Sequence, residues 1–283
     1  MRFIASVSFG KDSLAMLLKL LELNYPLDEV VYFDIGAEFD CIKANADKMA
    51  EILNKRGVEF TILKPREPFV WCMTEKPVTK RNGTLQCGYK WCGGCTRWGT
   101  TLKLDAIRDN YKKYGYEMIA EYVGVASDER QRINRERNGN RIKIYPLVEW
   151  GMTESDCLDY CYSQGWHWNE NGYELYDLLD RVSCKYCKNK NLKELRNIYH
   201  FLPEVWKELK ELQDKVQIPF KGDKTIHDLE TRFVSEDSQM TIDDFMKERD
   251  KMEKSYIKAN TETLFDQDIS YTFPVAVRKP HNI

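Results

Sequence analysis

The sequence predicts an α/β protein with a doubly wound, mostly parallel sheet. Three observations carry that expectation. Short apolar segments alternate with amphipathic helical segments over the first third of the chain. A polar, glycine-containing turn joins the first strand pattern to the first helix pattern. The second strand segment, residues 29–34, is rich in β-branched and aromatic residues. Strand–helix–strand units of this kind close through right-handed crossovers.

The elements follow in order. Residues 2–7 (Arg-Phe-Ile-Ala-Ser-Val) form the first strand, and Leu14, Leu17, Leu18 and Leu21 recur at helical spacing after it. Residues 29–34 (Glu-Val-Val-Tyr-Phe-Asp) form a second strand. A helix over 40–56 ends at Gly57, and Val58–Leu63 is the third strand. Residues 64–100 break the rhythm with Pro65, Pro68, Pro77 and four cysteines, and read as an insertion or lid. A helix over 100–114 and strands over 118–123 and 142–145 resume it. Thr153 caps a helix over 154–164, with Glu154 and Asp156 suited to its first turn. Residues 189–216 are helical, with Pro203 opening a second segment, and 241–257 form a charged helix before an extended tail. The division expected is an α/β nucleotide-binding domain over 1–150, with the Cys-rich insertion at 64–100, and a helical portion over 151–283.

Composition narrows the function. The chain has 283 residues, 42% hydrophobic and 31% charged, which excludes a disordered chain. Forty-three basic against 45 acidic residues exclude a generally basic nucleic-acid coat. No apolar run reaches the roughly 18 residues of a membrane helix, and the expectation is a cytoplasmic protein with no membrane partner. In a reducing compartment nine cysteines point to metal or thiol chemistry rather than disulfides.

The sharpest motif is Ser8-Phe9-Gly10-Lys11-Asp12-Ser13, between a strand and a helix. A helix N-terminus offers free N–H groups and partial positive charge to a phosphate. Gly10 admits close backbone approach, Ser8 and Ser13 supply hydroxyls, and Lys11 supplies a cation. The Walker spacing is absent. Cys92-Gly-Gly-Cys95 and Cys184-Lys-Tyr-Cys187 are two Cys-x-x-Cys pairs that together supply four thiolates for one tetrahedral metal. Such a site ties the insertion to the C-terminal portion. Paired knuckles favour Zn²⁺. Cys87 is a substitute ligand or a free reactive thiol; Cys41, Cys72, Cys157 and Cys161 fall on apolar patterns and belong to the core. Asp34 and Asp128 suit Mg²⁺ through water, or serve as turn or helix caps. The Arg130–Lys143 segment is basic and suits phosphates or a nucleic-acid backbone. Trp166-His167-Trp168 is a core corner or a nucleobase platform.

Ser-Phe-Gly-Lys-Asp-Ser resembles the pyrophosphatase loop (PP-loop) of the adenine-nucleotide α-hydrolase superfamily, and specifically the phosphoadenylylsulfate (PAPS) reductase family. Four further segments match in order. Tyr32–Phe39 resembles the second-strand segment that contacts the nucleotide, through Phe33, Asp34 and Gly36. Arg97–Lys103 resembles a basic helix start. Gly124–Arg132 resembles the loop facing the phosphates, through Gly124, Asp128 and Arg132, and Tyr145–Trp150 resembles the segment before the next helix. The resemblance covers residues 1–190 or so and implies ATP or an adenylyl-sulfate bound with Mg²⁺, with Ser8, Phe9, Gly10, Lys11, Asp12 and Ser13 as binding residues. Lys11, Asp12 and Arg132 are the implied catalytic residues. It also admits an iron–sulfur (4Fe–4S) cluster at the four cysteines, beside the zinc that the knuckle spacing favours. The reductases carry a nucleophilic cysteine in a C-terminal Glu-Cys-Gly-Leu-His motif, whereas the last cysteine of this sequence is Cys187. The expected activity is therefore adenylation of an acceptor with pyrophosphate release, feeding sulfur transfer from a donor protein. The alternatives are a sulfonucleotide reductase using Cys87 or a partner's thiol, and a non-catalytic nucleotide sensor in a nucleic-acid modification or defence complex.

Overall fold

A computed structural model describes residues 1–93, 96–133, 140–182, 184–239, 244, 246–254 and 256. Five parallel strands form the central sheet: β1 (Arg2–Val7), β2 (Glu29–Phe33), β3 (Glu59–Leu63), β6 (Ile119–Val123) and β7 (Arg141–Ile144). Their order is β3-β2-β1-β6-β7. The chain thus winds outward from β1 to one edge, returns, and winds to the other. The two halves part between β1 and β6, and open α/β sheets bind ligands at such a switch point, beyond the carboxyl ends of the strands.

The inner strands β1 and β2 are covered on both faces, while the edge strands β3 and β7 are partly exposed. Ala5 and Val7 of β1 and Val30 and Tyr32 of β2 join the main core with helices α1 (Lys11–Glu22) and α2 (Asp40–Lys55). Ile4 and Val31 point the other way, onto Ile107 and Tyr111 of α4 (Trp98–Tyr111). This alternation is the period-two geometry of a strand acting on both faces. Gly57 follows α2 with φ +68°, so the predicted stop is a glycine in the left-handed region.

The insertion contains a short helix, α3 (Phe69–Thr74), and an antiparallel hairpin of β4 (Pro77–Thr79) and β5 (Leu85–Cys87). After β7 come a single turn, α5 (Pro146–Glu149), and α6 (Glu154–Ser163). Thr153 accepts from Asp156 N–H, and Asp156 accepts in return from Thr153 N–H at 2.9 Å, closing a capping box. A two-residue hairpin, β8 (Asn169–Glu170) and β9 (Tyr173–Glu174), leads into the turn α7 (Leu175–Leu178). Helices α8 (Leu192–Phe201), α9 (Pro203–Val216) and α10 (Ile226–Gln239) complete the described order. Pro203 opens α9 as expected, while α10 falls where no helix is predicted. Residues 246–254 of the predicted 241–257 helix are helical, and the tail beyond 256 lies outside the described residues. One hydrophobic cluster holds residues from Ala5 to Met252, so the C-terminal helices share the core of the sheet.

Candidate functional site at the carboxyl edge of the sheet

The loop after β1 meets the loop after β6 at the switch point. Phe9 takes φ +55°, a conformation costly for a bulky residue. Its surroundings hold it there. The ring is fully buried and sits edge-on to Tyr32 at 5.0 Å, while the Phe9 carbonyl accepts from the Trp168 indole N–H at 2.7 Å. Gly10 then starts α1 without a side-chain cap. Ser8 N–H donates to Ser13 Oγ at 3.1 Å, and Ser13 Oγ donates to the Gly10 carbonyl at 3.1 Å. Across the switch point a Cβ on Gly124 would stand 2.8 Å from Ser13 Cα and 3.0 Å from its nitrogen, so the second loop lies against the first only with glycine there.

The charges are densely paired. The Lys11 ammonium, almost fully buried, bonds the Glu154 carboxylate and stands 3.4 Å from Asp12 Oδ1. Burial opposes its charge, but the bond to Glu154 and the attraction of Asp12 outweigh burial and raise its pKa. Burial raises the Asp12 carboxyl, against the pull of Lys11. Glu129, also buried, receives two guanidinium groups: Arg132 from its own turn and Arg181 at 3.0 Å. Lys11, Arg132 and Arg181 therefore face Asp12, Glu129 and Glu154 around one loop. That arrangement suits a polyanion, because phosphate oxygens can take over cations that the carboxylates now hold.

Of the predicted site residues, Ser8, Phe9, Gly10, Lys11, Asp12, Ser13, Gly124 and Arg132 converge here. Phe33 is buried at the end of β2. Asp34 Oδ1 accepts from Gly36 N–H at 2.9 Å, and Asp128 Oδ1 accepts from Glu154 N–H at 3.2 Å, so both carboxylates serve as turn and helix caps. The nucleobase platform is corrected: Trp166 and Trp168 are 3% and 0% exposed and offer no free face for stacking. Trp168 instead locks the loop through Phe9. Glu129, Glu154, Tyr176 and Arg181 escape the sequence reading. Glu154 is readable only as a favourable first-turn acid, and its bond to Lys11 spans 143 residues.

The second cysteine cluster lies between the insertion and the segment before α8. Lys188 N–H donates to the Cys92 carbonyl at 3.2 Å, which sets the Cys92 turn beside the Cys184–Cys187 turn. Burial raises the Cys92 thiol, opposed by the N–H groups of Gly99 and Thr100 at the start of α4. Burial likewise pushes Cys184 up to about 12. Cys95, Arg135 and Arg137 lie outside the described residues. Among the described residues no three His, Cys, Asp or Glu side chains stand close enough to hold a metal ion. Cys41, Cys72, Cys157 and Cys161 are buried as predicted, and Cys87 is exposed at the end of β5. No helix among the described residues is long and apolar enough to cross a membrane.

The chain is 23% identical over 218 residues to an uncharacterized protein of Methanocaldococcus jannaschii, covering 72% of this chain and 39% of that protein. It thus spans about two fifths of the length of that relative. Residues 2–177 match the model of the phosphoadenosine phosphosulfate reductase domain, a stretch that begins at β1 and ends within α7. The chain belongs to the phosphoadenosine phosphosulfate reductase domain family.

Proposed function

We propose that the chain binds ATP or an adenylyl nucleotide at the Ser8–Ser13 loop and is an enzyme that adenylates an acceptor with release of pyrophosphate. The observation that supports this most is the placement of Lys11, Arg132 and Arg181 around the glycine-led helix start at the switch point. In this reading Lys11 and the first N–H groups of α1 hold phosphate oxygens. Arg132 and Arg181 exchange Glu129 for the leaving pyrophosphate, and their charges stabilise it as it departs. The acceptor oxygen forms a bond to the α-phosphorus as the α–β bridging P–O bond breaks, and its proton passes to a neighbouring carboxylate such as Glu154 or to water. The Asp12 Oδ1 atom is buried and faces the Lys11 ammonium at 3.4 Å without a hydrogen bond, which fits it to a divalent cation once Lys11 turns to phosphate. Mg²⁺ held there would offset charge on the phosphates. A sulfur donor could then displace AMP from the adenylated acceptor.

Lys11→Ala should abolish ATP-dependent pyrophosphate release and weaken ATP binding at least tenfold, with the fold retained by circular dichroism. Normal release from that variant would overturn the assignment.

We also propose that a metal draws Cys92, Cys184 and Cys187, which do not group at ligand distance as the chain is folded here, together with Cys95 into one site, zinc in preference to a 4Fe–4S cluster. The Lys190 ammonium supports this. It is 97% buried (3% exposed), has no hydrogen-bond partner, and feels the charge of Cys184 and Cys187. The Phe39 ring lies 5.4 Å from it and Glu194 also acts on it, yet burial still lowers its pKa, and a tetrathiolate centre with excess negative charge would offset that cost. Zinc or iron measured in the anaerobically purified chain, with its absorption spectrum, identifies the metal; metal-free folded protein would sink this proposal.

A further inference from the structure

The first N–H of the phosphate loop helix is already occupied. Lys11 N–H donates to the Tyr176 phenol oxygen at 2.8 Å. The same oxygen would stand 3.5 Å from a Cβ on Gly10, with the Val182 carbonyl at 3.7 Å. The open backbone at Gly10 that the sequence offers to an anion is therefore covered by Tyr176 of α7 and by the Val182 carbonyl.

The backbone around Tyr176 is anchored. Leu175, Leu178 and Leu179 are buried, the Leu178 carbonyl accepts from Asn197 Nδ2 at 2.7 Å, and Asp180 N–H donates to Glu194 Oε1 at 3.1 Å. Tyr176, in contrast, is only partly buried. Its ring leans edge-on against Trp168 at 4.8 Å, and Trp168 is itself bonded to Phe9. A phenol on a rigid turn can leave by side-chain rotation while the backbone stays in place.

We propose that Tyr176 is an internal ligand of the phosphate loop, a gate whose hydroxyl holds the place of a phosphate oxygen until the nucleotide displaces it. The proposal rests on the nucleotide reading of the loop. Binding then exchanges one neutral hydrogen bond, phenol to Lys11 N–H, for a charge-assisted one from the same N–H to phosphate. The gate favours ligands charged enough to win that exchange and keeps the amide from being left bare and buried in the empty protein.

The test is titration of the full chain with pyrophosphate, by calorimetry, for wild type and Tyr176→Phe. The variant keeps the ring but cannot accept the bond, so pyrophosphate should bind about five-fold tighter, the worth of one neutral hydrogen bond. Equal or weaker binding by the variant, with wild type still binding, overturns the gate and leaves the nucleotide reading intact. No binding by either chain overturns both. Hydrogen exchange gives a second readout in wild type alone: added pyrophosphate should keep the Lys11 amide protected while the Tyr176 ring loses its contact with Trp168, seen by NMR. A ring that keeps that contact when the anion is bound overturns the proposal even if the variant fails to fold.

Discussion

The two ends of the parallel sheet both carry buried charge, and they use it differently. At the amino end Glu29 of β2 is fully buried, yet both of its carboxylate oxygens are hydrogen-bonded. Lys113 donates at 2.7 Å, Tyr114 at 2.5 Å and Thr61 at 2.5 Å. Burial pushes its pKa up, and these bonds more than reverse the push. At the carboxyl end the Lys11–Asp12–Glu154 and Glu129–Arg132–Arg181 groups pair just as closely, but each has a side open to exchange. The Arg132 and Arg181 side chains are 52% and 68% exposed, Asp12 Oδ1 lacks a hydrogen bond, and a phenol fills the helix start. A carboxylate bonded by one fixed set of partners stabilises a sheet; pairs that a phosphate can replace make a binding site.

The largest expected effect breaks the amino-end network. Glu29→Ala leaves the Tyr114 hydroxyl without its acceptor, Thr61 with only its long bond to Glu59 at 3.4 Å, and Lys113 with Glu59 as its remaining counter-charge. Lys113 is half-exposed and can turn to water, so the loss should be about 2–4 kcal/mol, below the full cost of stranding a buried ion. Urea denaturation measures it. Pyrophosphate affinity of the folded variant should be unchanged, because Glu29 lies at the opposite end of β2 from the phosphate loop. A stability loss below about 1 kcal/mol, or a matching loss of affinity, would break the comparison. Lys11→Ala should show the reverse pattern, with the larger change in binding.

What the sequence discloses tracks distance along the chain. The β1–loop–α1 unit is legible because its signals are local: an apolar run, a polar turn and leucines at helical spacing. The hairpin at 169–174 turns on Asn171-Gly172, with φ +53° and +86°, a local signal for a two-residue turn. It escapes notice because two-residue strands show no alternation. Helix α10 also has a readable start, since Thr225 and Asp228 bond each other's N–H groups at 3.1 and 2.8 Å. Its buried stripe, Ile226, Leu229 and Phe233, is too sparse to mark a helix among so many charges. The site is legible only where it lies on the loop itself. Glu154, Tyr176 and Arg181 reach it across the fold, and no local pattern marks them. Asp34 and Asp128 show the converse: residue types suited to a cation, spent on capping.

The smallest expected effect sharpens the boundary between the two kinds of charge. Glu38 follows β2 on the carboxyl side, bonded to the Tyr32 hydroxyl, with Asp34 and Lys103 the charged groups acting on it. Burial raises its pKa to about 7, with Asp34 adding to the rise and Tyr32 and Lys103 opposing it. A raised carboxyl binds its proton more tightly folded than unfolded. Its contribution is therefore fully present below the ordinary value of 4.5 and is lost as pH rises through about 7. Within that window the linkage is at most about 1.4 kcal/mol per pH unit. Glu29 and Glu154, whose pKa values are lowered, act in the opposite sense and below pH 4.5, outside the window. The melting temperature should fall between pH 5 and pH 7.5 in wild type and fall less in Glu38→Gln, which keeps a neutral group beside Tyr32. Parallel pH profiles for the two chains would place Glu38 with the compensated carboxylates of the amino end. A flattened profile places it among groups whose charge the surrounding fold leaves uncompensated.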